Sequence, residues 1–307
     1  MNENLTWDQL DHGDVHHLLS LECLNCALNQ LISATELANM PEARRIALMQ
    51  EAFETVAKKG IDRNNCEIIE EVYRIATRAI GDENPYREVK SHFNRGMMRL
   101  WPEVRRHIAE SDNPLAAAVR AAIAGNLIDL AALGLDVSLD IAMAKVHEVD
   151  RIGMYIDETA SLADALSKAK TLLVLGDNCG EIAMDRLLIE TIRKLYPHLH
   201  VQYGVRGTAV VNDVTREDAA EVGMDEIAEI IDNGDCVLGT LLYRTSPEFN
   251  ESFYNADVVI CKGMGNYEGL HGCDRGNMWF LLIAKCNTMA RLTKSPKGSI
   301  LCLRKEK

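Results

Sequence analysis

A chain of 307 residues, 47% apolar and 26% charged, has the composition of a globular protein and the length to bury two compact units. Its formal net charge of −13 argues against a nucleic-acid backbone or an anionic membrane as the main partner, so any anionic ligand must be met by local positive potential. No stretch approaches the roughly 20 apolar residues of a bilayer span, the opening "MNENLTWDQL" lacks the basic start and apolar centre of a signal peptide, and nine cysteines, an odd number, fit a reducing compartment. The expectation is a soluble, cytoplasmic protein.

Residues 1–165 read as helix after helix. Cys23 and Cys26 fall three apart, on one face of a predicted helix. Buried thiols are the ordinary reading of such a pair; the alternative is a metal or redox pair, which Cys286 would complete. His16 and His17 read as surface residues. In "NNCEIIEEVYRIATRAIG", Ile68, Val72, Ile75, Ala76 and Ala79 recur at helical spacing, and Gly81 is placed to end the helix. In "SDNPLAAAVRAAIAGNLIDLAA", Asn113 suits a helix cap and Pro114 the first helical position.

Residues 166–307 change period. Predicted strands are "TLLVLG" (171–176), "HVQYGV" (200–205), "CVLG" (236–239), "DVVICKG" (257–263) and "SILCLR" (299–304). Helical patterns lie between them: "EIAMDRLLIETIRKLY", "REDAAEVGMDEIAEII", "PEFNESFYNA" and "NMWFLLIAKCNTMARL". Alternating strands and helices predict a largely parallel sheet covered on both faces, with ligands at the carboxyl ends of the strands.

Three loops then share one edge. The first, Gly176 to Glu181, has the shape of an anion-binding turn but carries Asp177 and Glu181. The second holds Arg206, Asn212 and Asp213, and the third runs from Lys262 through Asn266 to Glu268. Asp177, Asn178 and Asp213 are hard oxygen donors suited to Mg, Mn or Ca, with other divalent ions possible. A cation there, with Arg206 and Lys262 beside it, reconciles acidic side chains with an anionic ligand, for which phosphate is the natural candidate. Each residue also has a plainer reading: Asx residues cap helices, Lys262 can be a surface cation, Arg206 an ion-pair partner, Glu181 a favourable charge at a helix start, and Asn266 and Glu268 loop supports.

Several phosphoryl mechanisms fail on spacing. No Lys follows Gly180 as a P-loop requires, and no G-x-G-x-x-G is present. Cys179 stands where a D-x-D nucleophile pair needs a second carboxylate, and Asp185 where C-x5-R needs an arginine. Attack by water activated at a metal remains.

"LGDNCGE", "VRGTAVVNDVT" and "KGMGNYEGL", with "NPLAAAVRAAIAGNLID", "CLNC" and "GDENPYREVK" upstream, resemble the domain-of-unknown-function 89 family of metal-dependent damage-control phosphatases, in its C-x-x-C-containing archaeal and bacterial subfamily. The resemblance implies a helical N-terminal domain packed on a C-terminal Rossmann-like, three-layer α/β domain, with one divalent ion (Mn, Mg, Co or Ni) in the cleft. It also implies hydrolysis of small phosphorylated metabolites such as sugar phosphates. Carried over by residue, Asp177, Asn178 and Asp213 are the implied metal ligands. Glu181, Arg206 and Lys262 lie in substrate-facing motifs, Asn126 and Asp129 are the helical domain's contribution, and Asn266 is a further candidate contact. Asp177, Asp213, Lys262 and Glu181 form the implied catalytic set. Cys179 stands where the family carries a small residue. Carboxyl methyl transfer with S-adenosylmethionine is the competing enzymatic reading, although the strand "HVQYGV" ends in Arg206 rather than an acid suited to a ribose. A phosphometabolite or metal sensor is the non-enzymatic one.

Overall fold

The structure is a computed structural model and describes residues 20–59, 63–126, 144, 148–149 and 151–305. Five helices come first: α1 (Leu21–Leu37), α2 (Glu42–Lys59), α3 (Asn65–Ile80), α4 (Arg87–Glu110) and α5 (Pro114–Gly125). Their ends follow the sequence signals. Asn113 Oδ1 accepts from the Ala116 N–H at 3.1 Å, with Pro114 in the first turn of α5. Gly81 closes α3 in the left-handed region at φ 81°.

The sheet elements follow as β1 (Ile156–Asp157), α6 (Thr159–Lys168), β2 (Thr171–Leu175), α7 (Glu181–Leu195), β3 (His200–Val205), α8 (Arg216–Glu221), β4 (Glu229–Asp232), α9 (Pro247–Asn255), β5 (Val258–Lys262), α10 (Gly263–Leu270), β6 (Met278–Ile283), α11 (Asn287–Leu292) and β7 (Ile300–Lys305). The seven strands lie in the order β1-β7-β6-β5-β2-β3-β4. Strands β6, β5, β2, β3 and β4 are parallel, whereas β7 runs antiparallel to β6 and β1 parallel to β7. The protein is thus mixed α/β with a mostly parallel sheet. The sheet already begins at Ile156, ahead of residue 166.

Alternation along the strands builds two cores. Leu172, Val174, Val258, Ile260, Trp279 and Leu281 face α4, α5, α6 and α7. Leu173, Leu175, Val259, Cys261, Phe280 and Leu282 face α9, α10 and α11. Helices α4 and α5 therefore share their core with the sheet. Helices α1, α2 and α3 form a separate cluster that also takes in Val210 and Val211.

Two expectations need correction. "NMWFLLIAKCNTMARL" is not one helix: Met278–Ile283 is strand β6 and Asn287–Leu292 is α11. Every residue of β6 is buried, so its apolar run shows no alternation and mimics a buried helix. "CVLG" (236–239) is loop, and the fourth strand is Glu229–Asp232, which overlaps the end of the tract read as helical. The helix there stops at Glu221 because Gly223 turns the chain at φ 66°. Among the described residues, no helix is long and apolar enough to cross a membrane.

The chain leaves β2 for β3 and β4 on one side and returns through β5 and β6 on the other, so the order reverses between β2 and β5. Ligand crevices of open parallel sheets form at that point, beyond the carboxyl ends. Gly263 sits there at φ 73°, and a Cβ on it would fall 1.8 Å from Asp177 Oδ2. Gly81 has a similar φ but nothing within 4 Å of the same added atom. Gly263→Ala is therefore expected to lose clearly more than the ~1–2 kcal/mol of a left-handed alanine, and Gly81→Ala about that amount, in urea unfolding. Equal losses would mean that the Gly263–Asp177 approach is not tight.

Candidate functional site

The turn after β2 carries Asp177 and Asn178, and an isolated antiparallel bridge joins Asn178 to Asp213 in the loop after β3. Two backbone bonds close it: Cys179 N–H to Asn212 O at 2.8 Å and Val214 N–H to Asp177 O at 2.9 Å. Val211, two residues before Asp213, is held at φ 46°, an uncommon conformation for a β-branched residue and the kind of strain that gathers at functional sites. Its side chain is anchored in the α1–α3 cluster, which over-determines the turn.

Asn126, the C-cap of α5, donates one amide to Asp177 Oδ2 at 3.0 Å and to Glu181 Oε2 at 2.6 Å. Asn178 Nδ2 also lies 2.6 Å from Asp177 Oδ2. Behind them, Lys262 is fully buried and bonds to Glu181, to Asp185 Oδ1 at 2.5 Å and to Ala122 O at 3.0 Å. Tyr203 donates to Asp185 Oδ2 at 2.8 Å. Arg206, equally buried, bonds Asp213 Oδ2 at 2.6 Å and Gly176 O at 3.3 Å. Asn266 donates to Gly176 O at 3.0 Å and Lys262 O at 2.7 Å.

Asp177, Glu181, Asp185 and Asp213 bring four acidic groups into this buried cluster, against the two cations Lys262 and Arg206. Among the described residues, four carboxylates against two cations leave the cluster two positive charges short. Burial pushes Asp177 well above the usual carboxylate range, reinforced by the charges of Asp213 and Glu181. Burial also raises Asp213, against the pull of Arg206, and lifts Asp185 to about 6 despite Lys262. For Lys262 burial works downward, but Asp185 and Glu181 outweigh it and hold the amine protonated. Either protons or a divalent cation can make up such a deficit. Asp177, Asn178 and Asp213 offer hard oxygens on the open side, a set that fits an ion of the Mg or Mn class. Among the described residues, no three His, Cys, Asp or Glu side chains could hold a metal by themselves; the candidate set has only two carboxylates, with an amide as third donor.

A cavity of about 600 Å³ opens in front of these residues, a usual size for a small-molecule site. Asn126, Asp177, Asn178 and Asp213 line it, whereas Glu181, Arg206, Lys262 and Asn266 stand behind the wall. Asp129 lies outside the described residues. The opposite wall comes from α1, α3 and α10, with Asn29, Gln30, Ser33, Asn65 and Glu268. Glu268 is raised by burial and accepts from Asn65 Nδ2 at 3.0 Å. Cys23, Cys26, Cys66, Cys179 and Cys286 also face this space. Burial lifts Cys26 and pushes Cys23 up to about 11, which favours unreactive thiols.

Sequence reasoning missed Lys285, the single Lys or Arg in the described lining. It follows β6, whose carboxyl end shares the edge of β2 and β5, and the loop stayed hidden because β6 reads as helix. Asp185 was missed too; only its pairing with Lys262 across 77 residues reveals it. Replacing Lys262 with Met should cost about 3–5 kcal/mol in urea unfolding, because two buried carboxylates lose their partner, and adding Glu181→Gln and Asp185→Asn should recover much of it. No recovery would show that the amine serves something other than that pair.

Comparison with known proteins identifies the family. The model of the damage-control phosphatase ARMT1-like domain matches residues 19–301. A protein of Pyrococcus horikoshii named as a damage-control phosphatase is 31% identical over 288 residues, spanning 92% of this chain and 96% of its own. One of Archaeoglobus fulgidus with the same name is 30% identical over 275 residues, spanning 88% and 93%. The crystal structure of a DUF89 family protein from P. horikoshii superimposes with a TM-score of 0.85 at 29% identity, covering 93% of this chain and 98% of that one. The chain belongs to the damage-control phosphatase ARMT1-like domain family.

Proposed function

We propose that this protein is a phosphatase that hydrolyses small phosphomonoesters, sugar phosphates among them, in the cavity beyond β2 and β5, with one divalent ion (Mn, Mg, Co or Ni) at Asp177, Asn178 and Asp213. The observation that carries the reading is the two-charge deficit of the buried cluster, with its open donors facing the cavity that Lys285 also lines. The names of the archaeal relatives support the reaction class.

When bound, the ion supplies charge neutralisation at a phosphoryl oxygen and lowers the pKa of water. The chain's own residues do the rest. Asn126 holds Asp177 and Glu181 in one orientation through a shared amide. Arg206 fixes Asp213. Lys262, braced by Asp185 and Tyr203, pairs with Glu181 and keeps it aimed at Asn126 and Asn178. Lys262, Arg206 and Asn266 thus act from behind the wall, and Lys285 takes the part of the cation that meets the phosphate. The wall with Asn29, Gln30, Ser33, Asn65 and Glu268 accommodates the alcohol portion through hydrogen bonds.

A phosphate-release panel of phosphorylated metabolites, each run with Mg, Mn, Co and Ni, tests this. Metal-dependent release is expected from the parent. Asp177→Asn should lose at least ~100-fold without losing its fold by circular dichroism, and Lys285→Met should lose about 10–100-fold, the equivalent of one charged hydrogen bond. Binding without turnover across the panel would favour a sensor, and full activity in Asp177→Asn would end the proposal.

A further inference from the structure

Helix α4 reaches the site from outside the sheet. Asn94, on α4, is fully buried, and its hydrogen bonds divide between the turn after β2 and helix α8. Its Oδ1 accepts from the Gly180 N–H at 2.7 Å. Its Nδ2 donates to Asp218 Oδ1 and Glu221 Oε2, each at 2.9 Å. Gly180 ends the Asp177–Asn178 turn and opens α7, where a helix leaves its first N–H groups unpaired. Asp218 belongs to α8, and its Oδ2 accepts both the N–H and the hydroxyl of Thr215 at 2.8 Å, two residues after Asp213. Lys90, one turn earlier on α4, pairs with the same Oδ2 at 2.6 Å. Gly180 has φ 72°, and a Cβ there would meet Met97 and Phe93 of α4 at 3.4 and 3.5 Å, so the turn is seated against that helix.

The turns after β2 and β3 are therefore tied twice. The Asn178–Asp213 bridge joins them at the cavity side, and Asn94 joins them where each passes into its helix. We infer that Asn94 is a positioning residue that sets the spacing of Asp177 and Asn178 against Asp213, and through it the affinity for the divalent ion. This rests on the metal site proposed above. Truncating Asn94 takes a partner from the Gly180 N–H and from one oxygen each of Asp218 and Glu221, and leaves the Asn178–Asp213 bridge to hold the spacing of the two turns without that second tie. Outer supports of this kind typically change metal affinity by about 10–100-fold.

The test is Mn²⁺ binding to the purified, otherwise metal-free chain, followed by the electron paramagnetic resonance signal of the free ion. Circular dichroism checks the fold of each variant. The parent is expected to bind one Mn²⁺; if it binds none, the metal-site reading fails before this inference is reached. Asn94→Ala should raise the Kd for Mn²⁺ about 10–100-fold while still folded. Asn94→Asp keeps an acceptor for Gly180 but sets a third carboxyl against Asp218 and Glu221, and should raise Kd at least as much. A folded Asn94→Ala protein within twofold of the parent would overturn the inference, because a merely structural residue lowers Tm and leaves the folded site intact. If Asn94→Ala does not fold, Asn94→Asp decides by the same twofold criterion.

Discussion

Four carboxyl groups buried against two cations at one edge of the sheet are the constraint on which the rest of this structure turns. Removing ionised carboxylates from water is costly unless each is paired and hydrogen-bonded. The protein meets that cost locally for Glu181 and Asp185 with Lys262, and for Asp213 with Arg206. Among the described residues, the partners of the Asp177 carboxyl are amides, from Asn126 and Asn178. The least compensated of these carboxyls therefore stands where the cluster meets the cavity, and this is the ground for the cation site proposed above.

The surroundings follow from holding that cluster together. The glycines admit close approaches: a Cβ at Gly176 would strike Tyr203, and one at Gly263 would strike Asp177. The strained Val211 places the Asp213 loop and is anchored among the N-terminal helices. Those helices supply Asn126 from the end of α5, the Asn94 clamp from α4 and the far wall of the cavity from α1 and α3. Dividing the chain into a helical half and a sheet half describes its sequence periodicity better than its packing, since α4 and α5 share a core with β2, β5 and β6.

Much of this was legible in the sequence because the informative signals are local. Asn113 and Gly81 mark helix ends, Gly176 marks the end of β2, and the motifs around Asp177, Asp213 and Lys262 lie just past strands that show themselves by composition. What escaped depends on contacts distant in sequence. β6 is buried on both faces and carries no alternation, so its strand was hidden, and with it the position of Lys285. Asp185 looks like a surface helix residue until Lys262 is seen across from it. The direction in which Lys262 and Arg206 point, away from the cavity and into ion pairs, is set by α5, α7 and the Asp213 turn, which no short motif encodes.

Crystals grown or soaked with Mn²⁺ and measured at an anomalous wavelength would locate the ion itself. One strong anomalous peak per chain is expected, in contact with Asp177, Asn178 and Asp213, with the Lys262–Glu181–Asp185 cluster intact behind it. An absent peak, or a single peak among Cys23, Cys26 and Cys286 with nothing at Asp177, would contradict it.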